Sequence, residues 1–167
     1  MKLTLPNKKL EEAFKGAVQD YKENEEWHYY YMYEEAVNDF DGFLKDLDKT
    51  RRGEDLPEDN VPSTTYWLMD NEETEIRGII RIRHVAIPVH GNIGYDVPPK
   101  MRFKGYGREL LALGVIKARE DLGLTEIRVS CTRGNEGSKK IIEENKGQYT
   151  SSAVSNFERF DQYIIKG

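Results

Sequence analysis

The chain has 167 residues, of which 38% are apolar, 33% charged and 11% aromatic. This length and aromatic content argue against a disordered chain and predict a single domain, residues 1–167, with a buried core. No apolar run reaches the ~18 residues that a membrane span needs. Because the first ten residues also lack the apolar segment of a secretory signal, we expect a cytoplasmic protein with no membrane partner.

Cysteine, histidine and charge usage exclude further classes. Cys131 is the one cysteine, which rules out a disulfide framework and a cysteine-based zinc site within the chain. The three histidines lack metal-ligand spacing, so we expect no metal. Residues 1–60 hold nine basic and 16 acidic side chains, whereas residues 61–167 hold 16 basic and 14 acidic ones. An acidic chain without a long basic stripe is not expected to bind nucleic acid, because phosphate neutralisation drives that binding.

The N-terminal part of the chain is predicted to be helical. Apolar residues at helical spacing indicate an amphipathic helix over residues 8–22. The aromatic-rich residues 25–37 favour a helix or two short helical pieces over a strand. A third apolar stripe begins at Phe40 and ends near Gly53. Residues 51–63 are polar, contain two prolines and are predicted to form a loop.

From residue 64 onward the pattern becomes mixed. Residues 64–69 and 76–85 indicate an antiparallel hairpin, and a third strand over 91–97 is stopped by a proline pair. The later predicted elements are a helix after Gly107 that ends at Gly123, a strand over 126–132, a helix over 138–145, and a hairpin of 148–154 and 157–165. The predicted fold class is therefore α/β (α+β), with a mixed, mostly antiparallel central sheet, a β-α-β-α core and N-terminal helices.

A short basic window precedes the predicted long helix. Lys100, Arg102, Lys104 and Arg108 lie in residues 100–108, which contain no acid. Two glycines, in an Arg-x-x-Gly-x-Gly pattern, allow the free N–H groups of a helix start to approach a ligand closely. The combination predicts a pyrophosphate-binding turn; the alternative is an ordinary turn whose glycines allow close strand–helix packing. The window lacks the third glycine of a dinucleotide-binding motif, and it contains no Walker A sequence.

The window Val97–Gly107, Val-Pro-Pro-Lys-Met-Arg-Phe-Lys-Gly-Tyr-Gly, resembles the signature of the GNAT superfamily of acyl-CoA-dependent N-acyltransferases. In that signature a strand ends in Val, a Pro follows, and Arg/Gln-x-x-Gly-x-Gly/Ala opens a helix. Residues 83–84 and 91–95 are similar to a subgroup of predicted bacterial acetyltransferases with unassigned acceptors. The resemblance is strongest over residues 62–165, which we interpret as an acyl-CoA-binding core that follows a helical part, residues 1–60.

The resemblance implies acetyl-CoA as cosubstrate, held where two adjacent strands splay apart. Backbone groups on the strand before the turn would pair with the pantetheine, and the N–H groups from Arg102 to Arg108 would hold the diphosphate. Asn135 would contact the pantetheine arm; an N-cap of the next helix is its alternative role, and both can hold. The implied cofactor-binding residues are Tyr95, Val97, Arg102, Phe103, Lys104, Gly105, Tyr106, Gly107, Arg108, Asn135 and Ser138.

The same resemblance implies direct attack of an amine on a thioester, for which a base must deprotonate an ammonium of pKa about 10.4. The candidate catalytic residues are His84, expected at a strand end facing the cleft, and Asp96, which strand alternation would alternatively turn away. A structural or surface role is the alternative for His84. Many family members have a tyrosine that acts as the general acid on the last predicted helix, four residues before the glycine that corresponds to Gly147. This chain has Glu143 there, so water or the Ser138 hydroxyl would substitute.

Three residues are predicted to bind the acceptor: Trp67, Arg83 and Tyr31. Aromatic rings suit a cationic amine, and an arginine suits a substrate carboxylate. The alternative for the two aromatic residues is that they pack the helices onto the sheet. The alternative for Arg83 is an exposed position on a strand. Cys131 is interpreted as buried packing rather than as a nucleophile.

We therefore expect an N-acetyltransferase that transfers the acetyl group of acetyl-CoA to a primary amine of a small molecule or peptide, as a monomer or homodimer. One alternative is an acyl-CoA-binding sensor or interaction protein with the same fold and little or no transferase activity, which the absent tyrosine favours. A nucleotide-binding protein is the third hypothesis.

Overall fold

The computed structural model describes all 167 residues. The helices are α1 (Glu11–Glu23), α2 (Trp27–Asn38), α3 (Phe40–Arg52), α4 (Tyr106–Leu122) and α5 (Glu136–Glu144). The strands are β1 (Lys2–Thr4), β2 (Ser63–Met69), β3 (Ile76–Ile87), β4 (Gly91–Asp96), β5 (Glu126–Thr132), β6 (Gln148–Ser155) and β7 (Glu158–Lys166). No helix combines the length and apolar content that crossing a bilayer requires.

All seven strands form one sheet in the order β1-β2-β3-β4-β5-β7-β6. Every neighbouring pair is antiparallel except β4 and β5, which run parallel because α4 connects them. The predicted mixed, mostly antiparallel sheet with N-terminal helices is therefore confirmed. The sequence did not predict β1, a three-residue edge strand that pairs with the end of β2.

The sheet separates two hydrophobic clusters, because alternate strand residues point to opposite faces. On the α4–α5 face, Ile80 and Ile82 of β3 pack with helices α4 and α5. On the α1–α3 face, Ile79 packs with aromatic residues of the N-terminal helices. The strand residues of this second cluster come from β2 and β3 alone. The α1–α3 face of β5, β7 and β6 lies outside that cluster.

The parallel strands β4 and β5 are in register at one pair, Ile93 and Val129. On its N-terminal side, the strands are held together by Asn92, whose Oδ1 accepts the Arg128 N–H at 2.9 Å. Gly91, with φ 63°, lies so close to β5 that a Cβ would stand 2.5 Å from the Arg128 carbonyl oxygen. No paired residues follow on the C-terminal side, so the strands part toward the turn that precedes α4.

Candidate functional site

The turn before α4 carries a row of unpaired backbone donors. The N–H groups of Met101 and Arg102 donate to the carbonyls of the proline pair, at 2.8 and 3.2 Å. The next six N–H groups, residues 103–108, donate to no acceptor within the chain, and pairing resumes where Glu109 donates to Gly105 at 3.2 Å. A helix start adds the positive end of its dipole to these donors. Together they form a surface that suits an anion.

The two glycines of the turn, Gly105 and Gly107, are required for different structural reasons. Gly105 has φ 84° and no atom within 4 Å of an added Cβ, so glycine serves the backbone conformation there. At Gly107 an added Cβ would lie 2.6 Å from Ile141 Cδ1 of α5. The close-packing alternative therefore holds for Gly107, although its neighbour is a helix rather than a strand. Phe103 also has a positive φ, 60°, and its side chain is fully exposed.

Only half of the predicted basic window is free to meet an anion. Lys100 Nζ pairs with Glu23 at 2.8 Å, and the Arg102 guanidinium forms a two-pronged ion pair with Glu26. Lys104 and Arg108 make no ion pair, and both are exposed. The acidic end of α1 and the segment after it thus neutralise the first two cations and fasten the turn to the N-terminal helices.

One expectation for this turn needs correction. The Arg102 N–H is occupied, and the free donors therefore begin at Phe103 rather than at Arg102. Arg102 Nε donates to the Val97 carbonyl at 2.9 Å, which leaves the second lone pair of that oxygen for another donor.

On the α4–α5 face, Tyr95 links β4 to helix α5, close to the point where β4 and β5 part. Its hydroxyl and the Ser138 Oγ of α5 share a hydrogen bond of 2.6 Å. Burial raises the pKa of Tyr95 to about 12, so the phenol is protonated at neutral pH. Asn135 Oδ1 accepts the Ser138 N–H at 3.0 Å, which confirms the N-cap role expected for Asn135.

Asp96 lies on the opposite face, in a closed polar cluster. Its oxygens accept the hydroxyl protons of Tyr21 at 2.5 Å and Tyr33 at 3.2 Å, and Arg81 Nη2 donates at 3.0 Å. Arg81 Nη1 donates in turn to the Tyr33 hydroxyl at 2.9 Å. Burial raises the pKa of the Asp96 carboxyl, against the opposing effect of Arg81 and the two hydroxyls. With Asp96 only 4% exposed, the cluster leaves no carboxylate oxygen open to an amine.

His84 is not near Asp96. It lies within β3 rather than at its end, and its Nε2 and the Thr64 Oγ1 share a hydrogen bond of 2.9 Å. Because Ile80 and Ile82 point to the α4–α5 face, alternation puts His84 on that face as well, and Asp96 on the other. Burial lowers the pKa of His84. The two candidate catalytic residues are therefore not brought together.

The three residues predicted to bind the acceptor have different environments. Trp67 is 1% exposed and stacks on Phe14, with ring centroids 5.2 Å apart, so it is a core residue and that prediction is wrong. Tyr31 is 62% exposed on α2. Arg83 is half-buried on the α1–α3 face, beside Gly94. The position of the family's tyrosine on α5 is taken by an exposed Glu143, after a fully buried Ile142.

Sequence reasoning missed Tyr21, Tyr33 and Arg81, the partners of Asp96. One available signal was Arg81 itself, a charged residue on a strand face whose neighbour two positions earlier, Ile79, is apolar. No group of three or more His, Cys, Asp or Glu side chains is arranged to hold a metal ion.

A family model for the acetyltransferase (GNAT) domain matches residues 10–148. No curated protein matches the sequence. Among solved structures, RimJ from Mycobacterium smegmatis in complex with CoA-disulfide has a TM-score of 0.74 at 12% identity, over 99% of this chain and 81% of that one. A mutant spermidine N-acetyltransferase from Vibrio cholerae has a TM-score of 0.58 at 16% identity, over 76% and 75%. A ribosomal-protein-alanine acetyltransferase from Vibrio fischeri reaches 0.62 at 16%, over 78% and 72%. These similarities show a shared fold.

Proposed function

Because the chain belongs to the GNAT acetyltransferase family, we propose that it transfers an acetyl group from acetyl-CoA to a primary amine of a small molecule or peptide. The observation that carries this proposal is the row of six unpaired N–H groups, residues 103–108, at the point where β4 and β5 part. Such a row suits two linked phosphoryl groups, and the parted strands offer unpaired backbone for an extended arm.

The residues of the turn before α4 fit the diphosphate of acetyl-CoA. The diphosphate would be held by the N–H groups from Phe103 to Arg108, with Lys104 and Arg108 as the cations free to assist. Gly107 keeps the start of α4 in close contact with α5, which a larger residue would push away. When bound, acetyl-CoA supplies an acetyl group activated as a thioester.

We propose that Tyr95, on the α4–α5 face, would give its phenolic proton to the sulfur that leaves as the thiol of CoA when the amine displaces it. Its phenol is protonated at neutral pH and already donates or accepts at 2.6 Å with Ser138. It follows Ile93, the last β4 residue that pairs with β5, by two positions, so it lies at the parting of these two strands. A positioned acid typically contributes about 10²–10⁴-fold to a rate. Tyr95 would thus take the place of the tyrosine that α5 lacks.

Asp96 is proposed as a positioning residue rather than as the base. Its carboxylate accepts hydrogen bonds from Tyr21, Tyr33 and Arg81. The two tyrosine bonds hold α1 and α2 against β4. The ammonium proton of the acceptor would therefore pass to water on the α1–α3 face. Proximity of the two reactants can supply several kcal/mol on its own, so a dedicated base is not required.

A thiol-release assay with acetyl-CoA and a panel of primary amines tests the function. We expect release above the hydrolysis background for at least one acceptor, and loss of release when the amine is methylated to a tertiary amine. No release with any amine, alongside stabilisation of the protein by acetyl-CoA, would support the alternative of an acyl-CoA-binding protein, which the absence of a tyrosine on α5 favours. Greater stabilisation by ATP or NAD than by CoA would contradict both.

A further inference from the structure

The α1–α3 face has an open polar area where β4 and β5 part. Gly94 and Ser130 are the first residues after the pair Ile93 and Val129, and both point to this face, since the paired residues point to the other. Gly94 contributes no side chain. The Ser130 hydroxyl has no hydrogen-bond partner within the chain and is partly exposed. Gly94 and Ser130 therefore border the parting on this face.

Arg83 stands over this area without a carboxylate partner. Its Nη2 and Nη1 would lie 3.7 and 3.9 Å from a Cβ built on Gly94, so the guanidinium covers the space that the glycine leaves. Its hydrogen bond within the chain is a long one of 3.4 Å, from Nη1 to the Gly91 carbonyl. The side chain is half-buried, and burial together with the neighbouring Arg81 lowers its pKa. A half-buried guanidinium with most of its donors unused favours an oxyanion ligand.

The charged groups around Arg83 do not offer that oxyanion. Arg81 is occupied by Asp96 and Tyr33, and Asp96 accepts from three donors already. His90 lies nearby, and burial and Arg83 lower its pKa, which keeps it uncharged at neutral pH. Two acidic residues of the N-terminal helical part are also committed: Glu23 pairs with Lys100, and Glu26 with Arg102. The open area therefore carries a positive charge with no internal counter-ion.

We propose that the acceptor carries an oxyanion, a carboxylate or a phosphate, near its primary amine, and that Arg83 binds this group and selects for it. The inference rests on the proposed function, since it names the class of acceptor for the same site. It also predicts discrimination against diamines and polyamines, because a second ammonium would lie beside the like-charged Arg83 guanidinium. The acceptors that fit are amino acids, short peptides through their terminal carboxylate, and amino-phosphates.

The test measures binding rather than transfer. The protein saturated with CoA, which has no acetyl group to give, is titrated with glycine, β-alanine, γ-aminobutyrate and glycylglycine, and with the amide of each. Ethylenediamine and aminoethylphosphonate complete the panel and separate a cationic from a phosphate-type ligand. We expect at least one carboxylate or phosphonate to bind about tenfold or more tightly than its amide, with ethylenediamine weakest.

Variants assign the effect to the residue. Arg83→Gln should abolish that preference and Arg83→Lys should keep part of it, whereas the matched control Arg159→Gln, an exposed arginine of β7, should leave it unchanged. Equal binding of acids and amides by the unsubstituted protein, or an undiminished preference in Arg83→Gln, would overturn the inference. Because no transfer is involved, failure of acetyl transfer leaves this result readable. Transfer to amines without any acid preference would reject the inference alone.

Discussion

Two polar regions lie at the C-terminal end of β4, and they differ in how their hydrogen bonds are satisfied. Around Asp96, buried groups pair with one another, and both carboxylate oxygens have partners. In the turn that follows, residues 103–108 leave six consecutive N–H groups without partners. Buried polar groups are normally paired, so a satisfied cluster belongs to the folded structure, whereas an exposed unsatisfied row is available to a ligand. The comparison assigns stability to the first region and binding to the second.

Removal of the Asp96 carboxylate tests whether the buried cluster stabilises the fold. Asp96→Ala removes a buried carboxylate that pairs with the partly exposed Arg81 and accepts from two tyrosines, and should lower the free energy of unfolding by about 3 kcal/mol, measured by urea denaturation. Asp48→Ala, which breaks exposed ion pairs of α3, should change the free energy of unfolding little. Undiminished stability with loss of acetyl transfer would instead make Asp96 a catalytic base.

Ligand binding tests the other half of the comparison. Acetyl-CoA at a hundredfold excess over its Kd should stabilise the folded protein by about 2.7 kcal/mol, seen as a rise in Tm. Pantetheine at the same concentration should give little or no rise, because it lacks the diphosphate that the turn would hold. Equal stabilisation by both compounds would place the affinity outside the turn.

Tyr95→Phe tests whether the phenolic hydroxyl at the parting of β4 and β5 acts as the proton donor. Removing the phenolic hydroxyl should lower kcat about 100-fold with little change in the Kd of acetyl-CoA, because only the proton donor is lost. Ser138→Ala, which removes the partner of that hydroxyl and keeps the phenol, should have a smaller effect. If both variants lower kcat equally, the rate depends on the hydrogen bond between Tyr95 and Ser138 and not on Tyr95 as a proton donor.

A smaller effect is expected from the two free cations of the turn. The double variant Lys104→Gln/Arg108→Gln should raise the Kd of acetyl-CoA about tenfold at low salt, and the difference should shrink as ionic strength rises. The matched pair Lys45→Gln/Arg159→Gln removes the same charge elsewhere on the surface and should leave the Kd unchanged. A salt-independent loss would point to disturbed packing instead of charge.

Local signals predicted most of the fold. The ends of α3 and α4 were readable because Gly53 and Gly123 adopt the left-handed conformation that ends a helix, with φ of 73° and 66°. The strand β3 was predicted from the alternation of its side chains between the two faces of the sheet. The three-residue β1 was missed since so short a segment carries no periodic pattern.

The candidate site was less accessible from the sequence because its contacts are distant along the chain. Tyr21 and Asp96 are 75 positions apart, and nothing local links them. The basic window was visible, but its partial neutralisation by Glu23 and Glu26 was not, although the acidic excess of residues 1–60 was a hint. Trp67 shows the same limit, because an aromatic residue on a strand has the same pattern in a core as in a pocket.

Amide NMR shows whether acetyl-CoA binds to the six free N–H groups of the turn before α4. Acetyl-CoA is titrated into ¹⁵N-labelled protein, and the backbone N–H resonances of residues 103–108 are followed beside those of Met101 and Arg102, which are already paired. We expect large downfield shifts for several of the six free N–H groups, and small ones for the two paired controls. Saturation of the protein with acetyl-CoA while the six resonances stay in place would contradict it.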